Sequence, residues 1–277
     1  MHIIVLLKAQ YFHIGCLVFL FRIFAKNFCM YKSYLCLTFI AVSLSFLHLS
    51  VHAFDNRIQI SDDIELIQLS EKAYVHVSVS EIQGFGNVSS NGLIFLIGDE
   101  AFLFDTPVTN RQTETLVKWI ADSLSATVTA FVPTHWHEDC LGGLDYLHSI
   151  GITSYANQMT IDIAKANKKS VPRHAFIDSL RLNLRGDIVE CHYFGGAHTA
   201  DNIVVWIPSE KILFAGCMLK DIHSKGLGNL SDAVLEEWFP TIQKVTTKFH
   251  DAKIVIPGHG QIGGIELLEH TSKLLKE

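Results

Sequence analysis

The chain has 277 residues, 49% hydrophobic and 18% charged, with 22 Lys+Arg against 28 Asp+Glu for a formal charge of −6. That is enough apolar sequence for a large core. The acidic balance repels phosphate backbones and argues against nucleic acid as a partner.

Positions 1–53 contain no Asp or Glu. Met30-Tyr31-Lys32, an apolar run over 35–42 and the exit Val51-His52-Ala53 read as a secretory signal peptide spanning 30–53, cleaved after Ala53. Residues 1–29 then fit an upstream extension, with Met30 the true first residue. A membrane tether is the alternative, and Lys8, Arg22 and Lys26 interrupt its apolar segments. The leader holds four basic residues, so residues 54–277, one domain of 224 residues, keep 18 Lys+Arg against 28 Asp+Glu, a charge of −10. Three of six cysteines leave with it. Cys140, Cys191 and Cys217 remain, an odd count that in an oxidising compartment points to a metal-held thiolate rather than a disulfide framework.

In chain order, apolar runs predict strands at 64–69, 74–80, 93–97 and 101–104. Between the second and third lies Gln83-Gly84-Phe85-Gly86-Asn87, a glycine-flanked hairpin tip whose Phe85 is exposed unless it tucks into the core. A helix is expected over 110–123: Thr109 with Gln112 forms a capping box, and Leu116, Trp119, Ile120 and Leu124 recur at helical spacing. The apolar run 128–132 follows, then helices near 143–150 and 161–168, strands at 180–184, 188–193, 203–207 and 212–216, a helix over 233–248, a strand at 253–256 and a helix over 265–275. Strands alternating with helices, with no long linker, imply one α/β domain.

Chemistry concentrates at strand ends. His135-Trp136-His137-Glu138-Asp139 directly follows the 128–132 run. In an extended backbone, side chains at i, i+2 and i+4 lean to one side, so two imidazoles and a carboxylate can converge on a volume that suits zinc. A polar loop rich in histidine is the plain alternative. His198 lies in the glycine-led loop Gly195-Gly196-Ala197-His198-Thr199-Ala200-Asp201-Asn202, ahead of the strand at 203. Cys217 follows the 212–216 run, and His259 sits in Pro257-Gly258-His259-Gly260 just past the 253–256 run. A lone histidine or cysteine is ordinarily a surface or core residue. Four such loops in matching contexts are a poor coincidence.

HxHxD, then GxxHxxDN, GCMLK, LGNLSDA and PGHG, in that order and spacing, resemble the zinc-dependent β-lactamases of subclass B1 within the metallo-β-lactamase superfamily, from about residue 60 to the C-terminus. Cys217 separates the chain from the hydroxyacylglutathione hydrolase, lactonase and nuclease branches. Those typically place a second-site histidine where this chain has Cys140. Within B1, Thr134-His135-Trp136-His137-Glu138-Asp139-Cys140 looks most like the chromosomal enzymes of the Bacteroides type.

The resemblance implies a four-layer αβ/βα sandwich with its site at one edge. It implies two Zn²⁺ ions, one held by His135, His137 and His198, the other by Asp139, Cys217 and His259. Three protein ligands leave an open position, the mark of a catalytic ion, and zinc brings the pKa of a bound water to about 7. Asp139 would orient that nucleophile and pass a proton. Asn229 would donate to the developing oxyanion. Lys220 would pair with the substrate carboxylate, and the Phe85 hairpin would close over the substrate. Asp105 and Asp232 look like carboxylates that orient ligands; each could equally serve a turn or a cap, and Asp232 stands where an N-cap would. The implied activity is hydrolysis of the β-lactam amide of penicillins, cephalosporins and carbapenems by a periplasmic monomer without a stable membrane partner, conferring antibiotic resistance. The rivals are another hydrolase of the same fold, acting on thioesters, lactones or phosphodiesters, and a non-catalytic periplasmic zinc-binding protein.

Overall fold

Strands that are apolar on both faces need cover on both sides, and the chain supplies it by stacking two sheets and flanking each with helices. The computed structural model describes residues 56–277 apart from Gln83, so the leader expectations lie outside the described residues. The first sheet has eight strands in sequence order: β1 (Arg57–Ser61), β2 (Ile64–Gln68), β3 (Ala73–Ile82), β4 (Gly86–Ile97), β5 (Glu100–Phe104), β6 (Thr127–Val132), β7 (Thr153–Asn157) and β8 (His174–Phe176). Helix α1 (Asn110–Leu124) crosses from β5 to β6. The short α2 (Glu138–Leu141) and α3 (Leu144–Ser149) lead to β7, and α4 (Gln158–Ala166) leads to β8. The second sheet runs β13-β12-β11-β10-β9, from β9 (Ser179–Leu184), β10 (Asp187–Tyr193), β11 (Ile203–Ile207), β12 (Ile212–Gly216) and β13 (Ile254–Pro257). Helix α5 (Leu235–Lys248) precedes β13, and α6 (Glu266–Leu274) follows it.

Alternation along each strand divides the apolar residues into three layers of core. Leu93 and Phe95 of β4, Phe102 and Phe104 of β5, Ile203 and Val205 of β11, and Ile212 and Phe214 of β12 meet between the sheets. Ile94 and Leu103 face Leu116 and Ile120 of α1 and Leu144 of α3. Val204 and Leu213 face Trp238 and Ile242 of α5 and Leu268 of α6. The result is the helix–sheet–sheet–helix sandwich the resemblance implies. Each fully buried Phe or Leu contributes roughly 1.5–3 kcal/mol, so these layers hold the strand ends that carry the site.

Several elements depart from the sequence reading. β4 begins at Gly86, seven residues before 93, because the Gly/Ser/Asn-rich stretch pairs residue by residue with β3 down to Ile82↔Gly86. β1, β7 and β8 were not expected, and the last two are short pieces completed by parallel pairing. α4 starts at Gln158 because Asn157 accepts from Met159 N at 2.9 Å. Only half of the capping box on α1 forms. Thr109 accepts from Gln112 N, while the Gln112 side chain misses the Thr109 N–H: its Oε1 accepts from the Thr109 and Ser80 hydroxyls and its Nε2 donates to the Val79 carbonyl.

Candidate metal centre

β6 ends at Val132, and the next residues are locked before the first donor appears. Thr134 donates its backbone N–H to Asp105 Oδ1 at 2.6 Å and its hydroxyl to Asp105 Oδ2 at 2.7 Å. The Thr134 carbonyl accepts from Ile203 N at 2.9 Å, tying the loop to the second sheet. β12 passes close by: a Cβ on Gly216, whose φ is +54°, would lie 2.6 Å from Thr134 Oγ1. Asn91 of β4 holds the loop after β13, donating Nδ2 to the carbonyls of Pro257 at 2.9 Å and Gly260 at 3.0 Å. The ends of β6, β12 and β13 and the start of β11 thus meet at one edge of the sandwich.

The extended-strand argument for His135, His137 and Asp139 does not hold. The backbone bends through residues 134–137, His137 is the N-cap of α2, and Asp139 lies in the first helical turn. That turn sends the two histidines to one volume and the carboxylate to the next. His135 Nε2 is 3.0 Å from His137 Nδ1, and His198 Nε2 is 3.3 Å from the same atom. In the second group, His259 Nε2 is 3.2 Å from Asp139 Oδ2, Cys217 Sγ is 3.3 Å from His259 Nε2, and the Sγ to Oδ2 distance is 3.6 Å. A tetrahedral zinc with bonds of about 2.0–2.3 Å spaces its donors roughly 3.3–3.7 Å apart, and the ligating atoms of each group lie within 4.8 Å of one another, so each group can close on such an ion.

Atoms outside the two groups fix the rings. His259 Nδ1 donates to the Ser89 carbonyl at 2.7 Å, which turns Nε2 towards Asp139 and Cys217. His137 Nε2 donates to Asp232 Oδ2 at 2.9 Å, leaving Nδ1 to face the donor group. Asp232 therefore orients a ring and is not an N-cap: Val234 precedes α5, without a side-chain cap. His135 Nδ1 faces Cys140 Sγ at 3.2 Å, on the side of the ring away from His137. Such partners set the tautomer and angle of a metal-binding imidazole.

Electrostatics fit a cation site. Burial pushes His135 down to about 3 and lowers His198, so both rings are neutral, the form that ligates metal. Cys217 is held well below an ordinary thiol by a hydrogen bond with Cys140 and by the positive charge of His259, against the cost of burial. His259 is raised well above its ordinary value by the Cys217 thiolate and by Asp139. The second group thus sets a thiolate and a carboxylate around a protonated His259, whose proton a divalent cation would displace.

Both groups open into a cleft of about 520 Å³ that also exposes Phe85, Trp136, Lys169, Lys220 and Asn229. Phe85 is 62% exposed at the β3–β4 tip, between Gly84 and Gly86, both at positive φ, so it does not tuck into the core. Lys220 is only 9% exposed, its Nζ 5.4 Å from the centre of the Trp238 ring. Burial lowers its pKa, and among the described residues it forms no ion pair. Asn229 accepts from Ser231 N through Oδ1 at 3.1 Å, which leaves its Nδ2 hydrogens to donate. Trp136, Glu138, Asn167 and Lys169 complete one wall and were missed in the sequence. Trp136 had a signal, an aromatic ring between two candidate ligands. Lys169, which pairs with Glu138 at 2.7 Å and lies over Trp136 at 5.6 Å, had none.

Known proteins place this geometry. The family model described as the metallo-beta-lactamase superfamily matches residues 86–259, which span all six donors. The metallo-beta-lactamase type 2 of Bacteroides fragilis is 53% identical over 220 residues, covering 79% of this chain and 88% of its own. That of Pseudomonas aeruginosa is 36% identical over 209 residues, covering 76% and 83%. The solved metallo-beta-lactamase of Pontibacter korlensis superposes with a TM-score of 0.74 at 38% identity, covering 77% of this chain and 99% of that one. With its fold, donor order and sequence in agreement, this chain belongs to the metallo-β-lactamase superfamily.

Proposed function

We propose that this chain hydrolyses the amide of β-lactams, including penicillins, cephalosporins and carbapenems, with two zinc ions. The supporting observation is the pair of three-donor groups, each with its ligating atoms within 4.8 Å of one another, opening on a cleft that also carries a buried lysine with no ion pair among the described residues. His135, His137 and His198 would hold one ion, and Asp139, Cys217 and His259 the other. Bound zinc supplies an activated water and a Lewis acid at the carbonyl. The chain's own groups do the rest. Asp139 orients the water and passes a proton towards the departing amide nitrogen. The Asn229 Nδ2 hydrogens donate to the carbonyl oxygen as negative charge develops there. Lys220 holds the substrate carboxylate, and the Phe85 tip excludes solvent from above.

Hydrolysis of nitrocefin should vanish on treatment with a strong chelator and return with added zinc. Activity that survives chelation would overturn the metal reading. Absence of activity in the zinc-loaded chain would favour another substrate or a binding protein.

Phe85→Ala should chiefly raise KM, because a ring pressed on the substrate before and during ring opening contributes uniform binding. A fall in thermal stability with unchanged kinetics would count against this role, and the 62% exposure of Phe85 makes that outcome unexpected.

Export follows from the leader: we propose that residues 30–53 are removed and the domain works as a periplasmic monomer. The intact mass of the exported protein tests this, and a chain retaining Cys36 would contradict it.

A further inference from the structure

Behind the metal centre lies a buried histidine that neither donor group uses. His76, in the middle of β3, is 1% exposed and alternates with Val75 and Val77 onto the helix-covered face of the first sheet. Its Nε2 donates to the main-chain carbonyl of Asp105 at 3.0 Å, and its buried Nδ1 has no partner among the described residues. Burial holds the ring down to about 4, so it is neutral and the Nε2 hydrogen is present at neutral pH. A leucine or phenylalanine would fill the space without stranding a nitrogen. The position therefore trades stability for a single hydrogen bond.

That bond falls on a residue of unusual backbone. Asp105 has φ +57°, in the left-handed region that few L-residues besides Asn and Asp occupy, and its own carboxylate is committed elsewhere. Its carboxylate is the double acceptor for the Thr134 N–H and hydroxyl, and the next residue is His135. The opposing strand makes room for the ring: Gly92 pairs with His76 across β3–β4, and a Cβ there would overlap His76 Nε2.

We infer that His76 is a positioning residue for the three-histidine donor group, holding the left-handed Asp105 backbone so that its carboxylate aims Thr134 and thereby His135. The relay is His76 Nε2–H to Asp105 O, then Asp105 Oδ1 and Oδ2 to Thr134, then the chain to His135. His259 is held by different contacts, its ring by the Ser89 carbonyl and its loop by Asn91. The inference rests on the reading of His135, His137 and His198 as a zinc site.

The test uses the full domain with zinc, then cobalt, as probes. His76→Leu should weaken the zinc held by the three-histidine group about 10- to 100-fold in chelator competition, while His76→Gln, whose Nε2 can still donate, should stay within about threefold of wild type. With cobalt, His76→Leu should shift the ligand-field bands of the histidine site and leave the Cys217 thiolate charge-transfer band in place. Gly92→Ala, which displaces the ring from the far side, should repeat the zinc defect and provides a second route if His76→Leu fails to fold. Equal loss in the Leu and Gln variants, a Leu variant with wild-type zinc affinity, or a thiolate band that shifts with the others would each overturn the inference. A wild-type chain without zinc affinity would overturn the metal reading as well, so the two failures are distinguishable.

Discussion

Cys217→Ser should leave one zinc per chain where the wild type holds two, and cost more than about 100-fold in kcat, given that outer partners of a ligand alone are worth 10- to 100-fold. A serine hydroxyl is hard and stays protonated at neutral pH, whereas Cys217 is already held as a thiolate by Cys140 and His259. The substitution removes one of the three atoms of the second group and the charge that raises His259. The histidine group shares no atom with Cys217 and is buttressed separately through Asp232 and Thr134. Elemental analysis after dialysis decides the matter: equal loss from both sites would contradict the partition into two sets. Cys140→Ser is the control. Its sulfur faces the rear nitrogen of His135, so zinc content should stay near two per chain.

What could be read from the sequence divides along physical lines. The central strands of the second sheet were legible because buried faces on both sides write continuous apolar runs, as in 203–207 and 212–216, and those runs also marked where the donors emerge. α1 was legible from its apolar spacing and Thr109 cap. The glycine- and serine-rich start of β4 was not, since its strand character comes from pairing with β3 and from no preference of its own. The six donors were found by motif, but the reason they converge was misread: a helical first turn, not extended backbone, carries Asp139 to its neighbours. Lys169 and His76 carried no local signal. One gains its place through the turn after α4, the other through a glycine on the opposite strand, and contacts between distant residues leave no periodicity to detect.

Lys220→Ala should lower kcat/KM on penicillins roughly 10- to 150-fold, the value of a charged hydrogen bond of about 1.5–3 kcal/mol. The loss should fall mainly on KM, because the substrate carboxylate is remote from the bond being broken and is held alike before and during ring opening. Lys220 suits this role in a way a surface lysine would not. It is nearly buried, stacked over Trp238 and anchored at its backbone by Thr271, and among the described residues no carboxylate pairs with it. An ammonium in that setting gains most from an incoming anion, since the cost of its desolvation is already met by the fold. Burial also lowers its pKa, so its charge disappears at a lower pH than that of a solvated lysine. The sign follows: wild-type KM for carboxylated substrates should climb as pH rises through that lowered value, and the climb should be absent in Lys220→Ala. Both metals should remain. A variant that kept wild-type kinetics with both ions bound would show that the cleft recognises activated amides without using their carboxylate, leaving the metal centre intact but the basis of substrate choice elsewhere on the cleft wall, where Lys169 is the next cation in reach.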